Sequence, residues 1–189
     1  SPRANALWAL GFVPQFAFLD LAIVAAQLPP IAAPAPTGYV HVPLSAVSAD
    51  ELAGLRNRAF AAVPNAPPVT AAQIARAQAT AVAGSAAVRG PGGELVAFVL
   101  VARSDDRLPP ALMIDEVGVE AAHRGQRLAD GLVVPVGAAA VADGRAWVRA
   151  VIASTNLASL RLHQRLGFSE VRRRWVFARA RSDDRFSAT

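Results

Sequence analysis

The run His123-Arg124-Gly125-Gln126-Arg127-Leu128-Ala129 brings two arginines, a glycine and the start of a helix together, directly after a strand-like stretch from Leu112 to Val119. The first N–H groups of a helix lack intrahelical partners and lie at the positive end of its dipole, so a loop that exposes them suits a pyrophosphate. Gly125 and the small Ala129 leave room for the backbone to approach such a group. The same residues also describe a surface loop with an Arg pair ahead of an amphipathic helix, and the segment alone leaves both readings open.

A second run, Asn156 to Phe168, has a helix reading of its own. Asn156 suits an N-cap, Leu157, Leu160 and Leu162 suit packing, Gly167 suits the left-handed residue that closes a helix, and Phe168 can pack back. Taken together, one helix and one strand apart, the two runs resemble the GNAT acetyltransferase superfamily. Arg124 to Ala129 is similar to its R/Q-x-x-G-x-G/A coenzyme A loop, and Asn156 to Phe168 to its N-x-x-A/S-x-x-L-Y-x-x-L-G-F helix. The order of elements from Tyr39 onward agrees as well, so the resemblance covers roughly three quarters of the chain.

The resemblance implies an N-acetyltransferase that moves an acetyl group directly from acetyl-CoA to a primary amine in a ternary complex. It places the cofactor against Val117, Gly118 and Val119, against Arg124, Gly125, Gln126, Arg127, Leu128 and Ala129, and against Asn156 and Ser159. The strand from Glu116 to Val119 is expected to open so that its backbone pairs with the pantetheine arm, and Gly118 suits a bulge there. An attacking amine must be neutral, which makes Glu116 the candidate general base and its neighbour Asp115 the second choice, since adjacent strand residues face opposite sides. Two departures stand out. Arg127 occupies the second glycine position of the loop. His163 occupies the usual tyrosine position, where a proton donor to the leaving thiolate is expected; the alternative is that it merely packs. A domain of this kind that binds coenzyme A, or nothing, as a sensor or interaction module is the competing reading.

The elements that must position these residues read as a mixed α/β domain with a mostly antiparallel central sheet flanked by helices. Tyr39 to Leu44 alternates as a strand, and Ser48 with Glu51 and Thr70 with Gln73 form capping boxes for two helices. Two strand-like runs flank the turn Arg89-Gly90-Pro91-Gly92-Gly93, and Trp147 to Ala153 and Glu170 to Ala180 supply two more. The proline-rich stretch Leu28 to Gly38 reads as a linker, dividing an apolar appendage (1–38) from the main domain (39–189). Leu10-Gly11-Phe12 echoes Leu166-Gly167-Phe168, so the appendage is either a remnant of a second such repeat or a cover for the sheet or for an oligomer surface, which leaves a homodimer open.

Composition narrows the remaining classes. All 19 basic residues are Arg, as in a bacterial GC-rich coding bias, and the net charge of +5 suits an anionic partner. No cysteine is present, which excludes disulfides and thiolate chemistry. The apolar run Leu7 to Leu28 contains Asp20, which argues against a membrane span and, with it, for a cytoplasmic protein. Arg172-Arg173-Arg174 divides between two strand faces without a stacking platform, which argues against nucleic acid. The acceptor, a small molecule or a protein amine, has no signature.

Overall fold

The computed structural model describes residues 2–29, 35–64, 66–105 and 109–179. In chain order the elements are α1 (Pro2–Ala9), β1 (Phe12–Val24), β2 (Val40–Pro43), α2 (Ala49–Phe60), α3 (Ala71–Thr80), β3 (Ala86–Arg89), β4 (Leu95–Ser104), β5 (Ala111–Val119), α4 (Leu128–Ala142), β6 (Trp147–Ala153), α5 (Leu157–Arg165) and β7 (Ser169–Arg179). Both expected capping boxes form: Ser48 caps α2 with Glu51, and Thr70 caps α3 with Gln73. The β3–β4 turn closes through Gly90 N–H to the Glu94 carbonyl at 2.8 Å.

The strands make one seven-stranded sheet in the order β2-β3-β4-β5-β6-β1-β7, antiparallel throughout except where β5 runs parallel to β6. One face, carrying Val99, Val101, Leu112, Ile114, Val148 and Ala150, is covered by α4 through Leu132, Val133 and Val136. On the other face α2 and α3 lay Leu52, Leu55 and Ile74 over Phe98 and Leu100. Alternation on the strands and the apolar stripes of the helices account for both layers. Among the described residues no helix is long and apolar enough to cross a membrane.

The N-terminal residues are the main departure from the sequence reading. Rather than forming an appendage, Phe12–Val24 runs through the sheet between β6 and β7, so the sheet draws on both sides of the linker. Linker residues 30–34 lie outside the described residues. Ala17, Leu19, Leu21 and Ile23 point into the α4 core, and Asp20 faces the other way, 5% exposed, with Arg174 Nη2 donating to its Oδ1 at 2.7 Å. An acid that argued against a membrane span is thus a strand residue with its own counter-ion. Pro14, which cannot donate to a ladder, sits at a register shift of the β1–β7 pairing. Downstream of β1 the chain presses on α4 so closely that a Cβ on Gly137 would lie 2.8 Å from both the Ala25 carbonyl oxygen and the Leu28 Cβ. The unit helix, left-handed glycine, strand occurs twice, with φ of 79° at Gly11 and 92° at Gly167, and its two strands pair with each other.

A chain beginning at Gly38 would leave β6 and β7 each with an unpaired edge and strip β1 from the core. Such a truncation is expected to lose cooperative thermal unfolding or to aggregate. A soluble truncated monomer with an unchanged melting temperature would contradict the integral role of β1.

Candidate active site

The two parallel strands part company halfway along. β5 pairs with β6 only from Ala111–Trp147 to Ile114–Ala150, although β5 continues to Val119 and β6 to Ala153. On its other side β5 stays paired with β4, with one register shift: Leu100 lies opposite Glu116 but Val101 opposite Ile114, so Asp115 is the extra residue of a bulge. Beyond it the backbone edge of Val117 to Val119 has no strand beside it on the β6 side, and such groups require other partners. The bulge expected at Gly118 is therefore at Asp115. Gly118 stays in register opposite Phe98 and is small for another reason: a Cβ would lie 2.6 Å from the Phe98 ring and 2.9 Å from that of Phe60.

Facing this edge is the start of α4. Gly125 and Arg127 both adopt left-handed backbone, with φ of 81° and 56°. The first bond of the helix runs from Gly131 N–H to the Arg127 carbonyl at 3.2 Å, which leaves the amides of Leu128, Ala129 and Asp130 in the unpaired first turn. Arg127 thus keeps the glycine-like backbone of the position it fills, at a conformational cost on the order of 1 kcal/mol. Arg124 braces the loop: its Nε donates to the Val119 carbonyl at 3.1 Å and its Nη2 to that of Ala59 at 2.9 Å. Tyr39 Oη and His123 Nδ1 share a 2.9 Å hydrogen bond that holds the loop from behind.

A cleft of about 480 Å³ occupies the space between these elements. Its walls include Val117, Gly118 and Val119 from β5, Arg124, Gly125 and Arg127 from the loop, Leu128 and Ala129 from α4, and Asn156 and Ser159 from α5. Of the residues expected to meet a cofactor, Gln126 alone is not on the wall. The sequence reading did not anticipate Ala59, Phe60 and Val63 at the end of α2, or the bridge in which Arg165 Nη2 donates to both oxygens of Asp130 at 2.8 and 2.9 Å. That bridge ties α5 to the first turn of α4 and neutralises the one acid at the anion-friendly helix end. Asn156 caps α5, its Oδ1 accepting from Ser159 N–H at 3.2 Å.

His163 lies elsewhere. It is 1% exposed, packed edge-on against Phe168 with ring centroids 4.9 Å apart, and absent from the cleft wall. Its Nδ1 is 2.8 Å from the Ser159 carbonyl, an acceptor only, so the proton of a neutral ring resides on Nδ1. Burial pushes its pKa below the ordinary value, which keeps the ring neutral and leaves the buried, unpartnered Nε2 without a proton to give. The geometry therefore favours packing over the expected role of proton donor.

The two carboxylates separate cleanly. Glu116 points to the α2 face, where the buried Arg56 donates from Nη2 to its Oε1 at 3.0 Å and from Nε at 3.3 Å. Arg56 was legible only as an anomaly, a cation on the buried stripe of Leu52, Leu55 and Ala59. Asp115, an exposed residue, has no ion-pair partner among the described residues; desolvation of its carboxyl against the sheet, and secondarily the charge of Glu116, push it above the ordinary range.

Because the fold disfavours the charged form of His163, the unfolded chain takes up a proton near its ordinary pKa of about 6.5 before the native chain does. The stability this group supports is complete above that value and is lost as pH falls through it toward the lower folded value. His163→Phe should flatten the loss of melting temperature between pH 7.5 and pH 5. Parallel acid-side losses in the two proteins would show that His163 is not the group responsible.

Known proteins share this fold. No curated protein matches the sequence. The chain resembles a GCN5-related N-acetyltransferase from Sphaerobacter thermophilus (TM-score 0.76, 18% identity) over 93% of its own length and 55% of that chain. It resembles a tandem GNAT protein from the clavulanic acid biosynthesis pathway (TM-score 0.66, 19% identity) over 94% of its length and 57% of that chain. An aminoglycoside N-acetyltransferase solved in complex with CoA matches 76% of the chain and 93% of its own, at a TM-score of 0.57 and 21% identity. The chain thus spans little more than half the length of the first two. Residues 50–168, from α2 through the end of the second motif, match the Acetyltransferase (GNAT) family, and the chain belongs to that family.

Proposed function

We propose that this domain transfers an acetyl group from acetyl-CoA to a primary amine. The observation that carries the reading is the free edge of β5 standing across one cleft from the unpaired first turn of α4. The fit to the cofactor is chemical as well as spatial. The amides at Leu128 to Asp130, with the positive charge of Arg127, suit its pyrophosphate. The edge of Val117 to Val119 suits the amides of the pantetheine arm, and Asn156, on the cleft wall, suits the same arm. Acetyl-CoA supplies an activated thioester; every other requirement falls on the chain.

Of those requirements the proton on the amine is the most demanding. Asp115, with its raised pKa and no arginine partner, is better matched to a general base than Glu116, which Arg56 holds as an ion pair. Glu116 then acts as a positioning residue that fixes the bulge against α2. The repeated helix-glycine-strand unit supports a further reading, that α1 and β1 derive from a second repeat of the same kind.

The test is thiol release from acetyl-CoA against a panel of amines. Amine-dependent release is expected, and Asp115→Asn should lower kcat by about 10²-fold or more, whereas Glu116→Gln should act mainly on stability and KM. The reverse ranking would return the base to Glu116. Tight acetyl-CoA binding with no turnover on any amine would point instead to a sensing or interaction module. Arg127→Gly separates backbone from charge: relief of the left-handed strain, less the added freedom of glycine, should raise stability by about 0.5 kcal/mol. Affinity for acetyl-CoA should meanwhile fall several-fold and lose part of its salt dependence. An unchanged affinity would mean that only the Arg127 amide matters.

A further inference from the structure

The acceptor must reach Asp115 from some direction, and the sheet face that carries Glu116 offers a charged approach. Register fixes which residues share it. Leu100 and Ala102 of β4 lie on one face; Glu116 is opposite the first and Met113 opposite the second, the bulge at Asp115 absorbing the odd residue. Met113 in turn lies beside Arg149 of β6, and Arg149 beside Ala22 of β1. On the same face Asp20 lies opposite Val151 of β6 and Arg172 of β7. Helices α2 and α3 cover this face over β4 and β5, and among the described residues no helix covers it over β6. Burial agrees: Val148, Ala150 and Ile152 are buried under α4, whereas Trp147, Arg149, Val151 and Ala153 are only half-buried.

Arg149 stands out on this face. Its Nε is buried without a hydrogen-bond partner, and among the described residues no carboxylate lies within ion-pair distance of its guanidinium. Every acid around it is otherwise engaged or set apart: Glu116 by Arg56, Asp20 by Arg174. A half-buried, unpaired guanidinium is costly to hold and presents a planar fork that matches an oxyanion. Arg149 is in register with Met113, three residues before Glu116 on the adjacent strand, so the two stand on either side of the point where β5 and β6 part. The approach is therefore bipolar, with the Asp115 carboxyl at the β5 end, beside a Glu116 already paired to Arg56, and an unanswered cation on β6.

Resting on the acetyl-transfer reading, we propose that the acceptor is an amine that also carries a carboxylate, its amine toward Asp115 and its acid group on Arg149, which makes Arg149 a specificity-determining residue. The Asp115 carboxylate attracts the ammonium form on arrival, and Arg149 fixes the other end of the molecule. A diamine would place a second cation against Arg149 and be rejected.

The experiment compares kcat/KM for amines matched in length that end in a carboxylate, a carboxamide or a second amine, in wild type and in Arg149→Gln and Arg149→Lys. Wild type should prefer the carboxylate over the carboxamide by at least about tenfold. Arg149→Gln should erase that preference through KM for the acid alone, leaving the carboxamide and the affinity for acetyl-CoA unchanged, and Arg149→Lys should restore part of it. Turnover of carboxamide or diamine as good as that of the acid, or an equal loss on all three in Arg149→Gln, would overturn the assignment while leaving acetyl transfer intact. No turnover on any amine despite acetyl-CoA binding would sink the transfer reading and this inference together.

Discussion

Everything in the site depends on two parallel strands that stop pairing before they end. After Ile114 and Ala150 the edges of β5 and β6 that would have satisfied each other face a gap instead. Such a gap survives only if both strands are held from their far sides, because backbone groups left without partners otherwise pull the strands together. β4 holds β5 to Val119, and β1 holds β6 along Trp147 to Ala153. The bulge at Asp115 supplies the bend, and the Arg56–Glu116 pair pins it to α2. The N-terminal strand thereby becomes a condition of the cleft rather than an addition to it.

Local chemistry was legible in the sequence wherever a few neighbouring residues suffice to determine it. The capping boxes at Ser48 and Thr70, the glycine turn before β4, and the loop and helix around Arg124 and Asn156 each form where residue types and spacing predict. What escaped depends on partners distant in sequence. Whether Phe12–Val24 covers a sheet or enters it turns on β7, which begins more than a hundred residues later. The bulge belongs to Asp115 rather than Gly118 because of the register with β4, and Gly118 answers instead to the rings of Phe60 and Phe98. His163 fits the motif by spacing, yet its surroundings favour packing: its Nδ1 faces the Ser159 carbonyl and its ring lies against Phe168, away from the cleft wall.

Buried charge marks the places where the fold is specified rather than merely stabilised. Arg56 with Glu116 and Arg174 with Asp20 each set one buried member against a partner that reaches it from another element. Replacing such a pair with apolar residues is often neutral, whereas removing one member leaves a stranded charge and is costly. Both pairs lie on the sheet face opposite α4, one at the bulge and one on the strand that backs β6, so they orient the two sides of the opening. Arg149, between them, lacks such an answer.

In the proposed function, the opened edge of β5 and the first turn of α4 hold acetyl-CoA together. Residue-resolved amide hydrogen exchange, with and without the cofactor, addresses it most directly. Acetyl-CoA should slow exchange at Val117 to Val119 and at Gly125 to Asp130, with little change along β2 and β3. Protection confined to other elements, or no change at saturating acetyl-CoA, would contradict it.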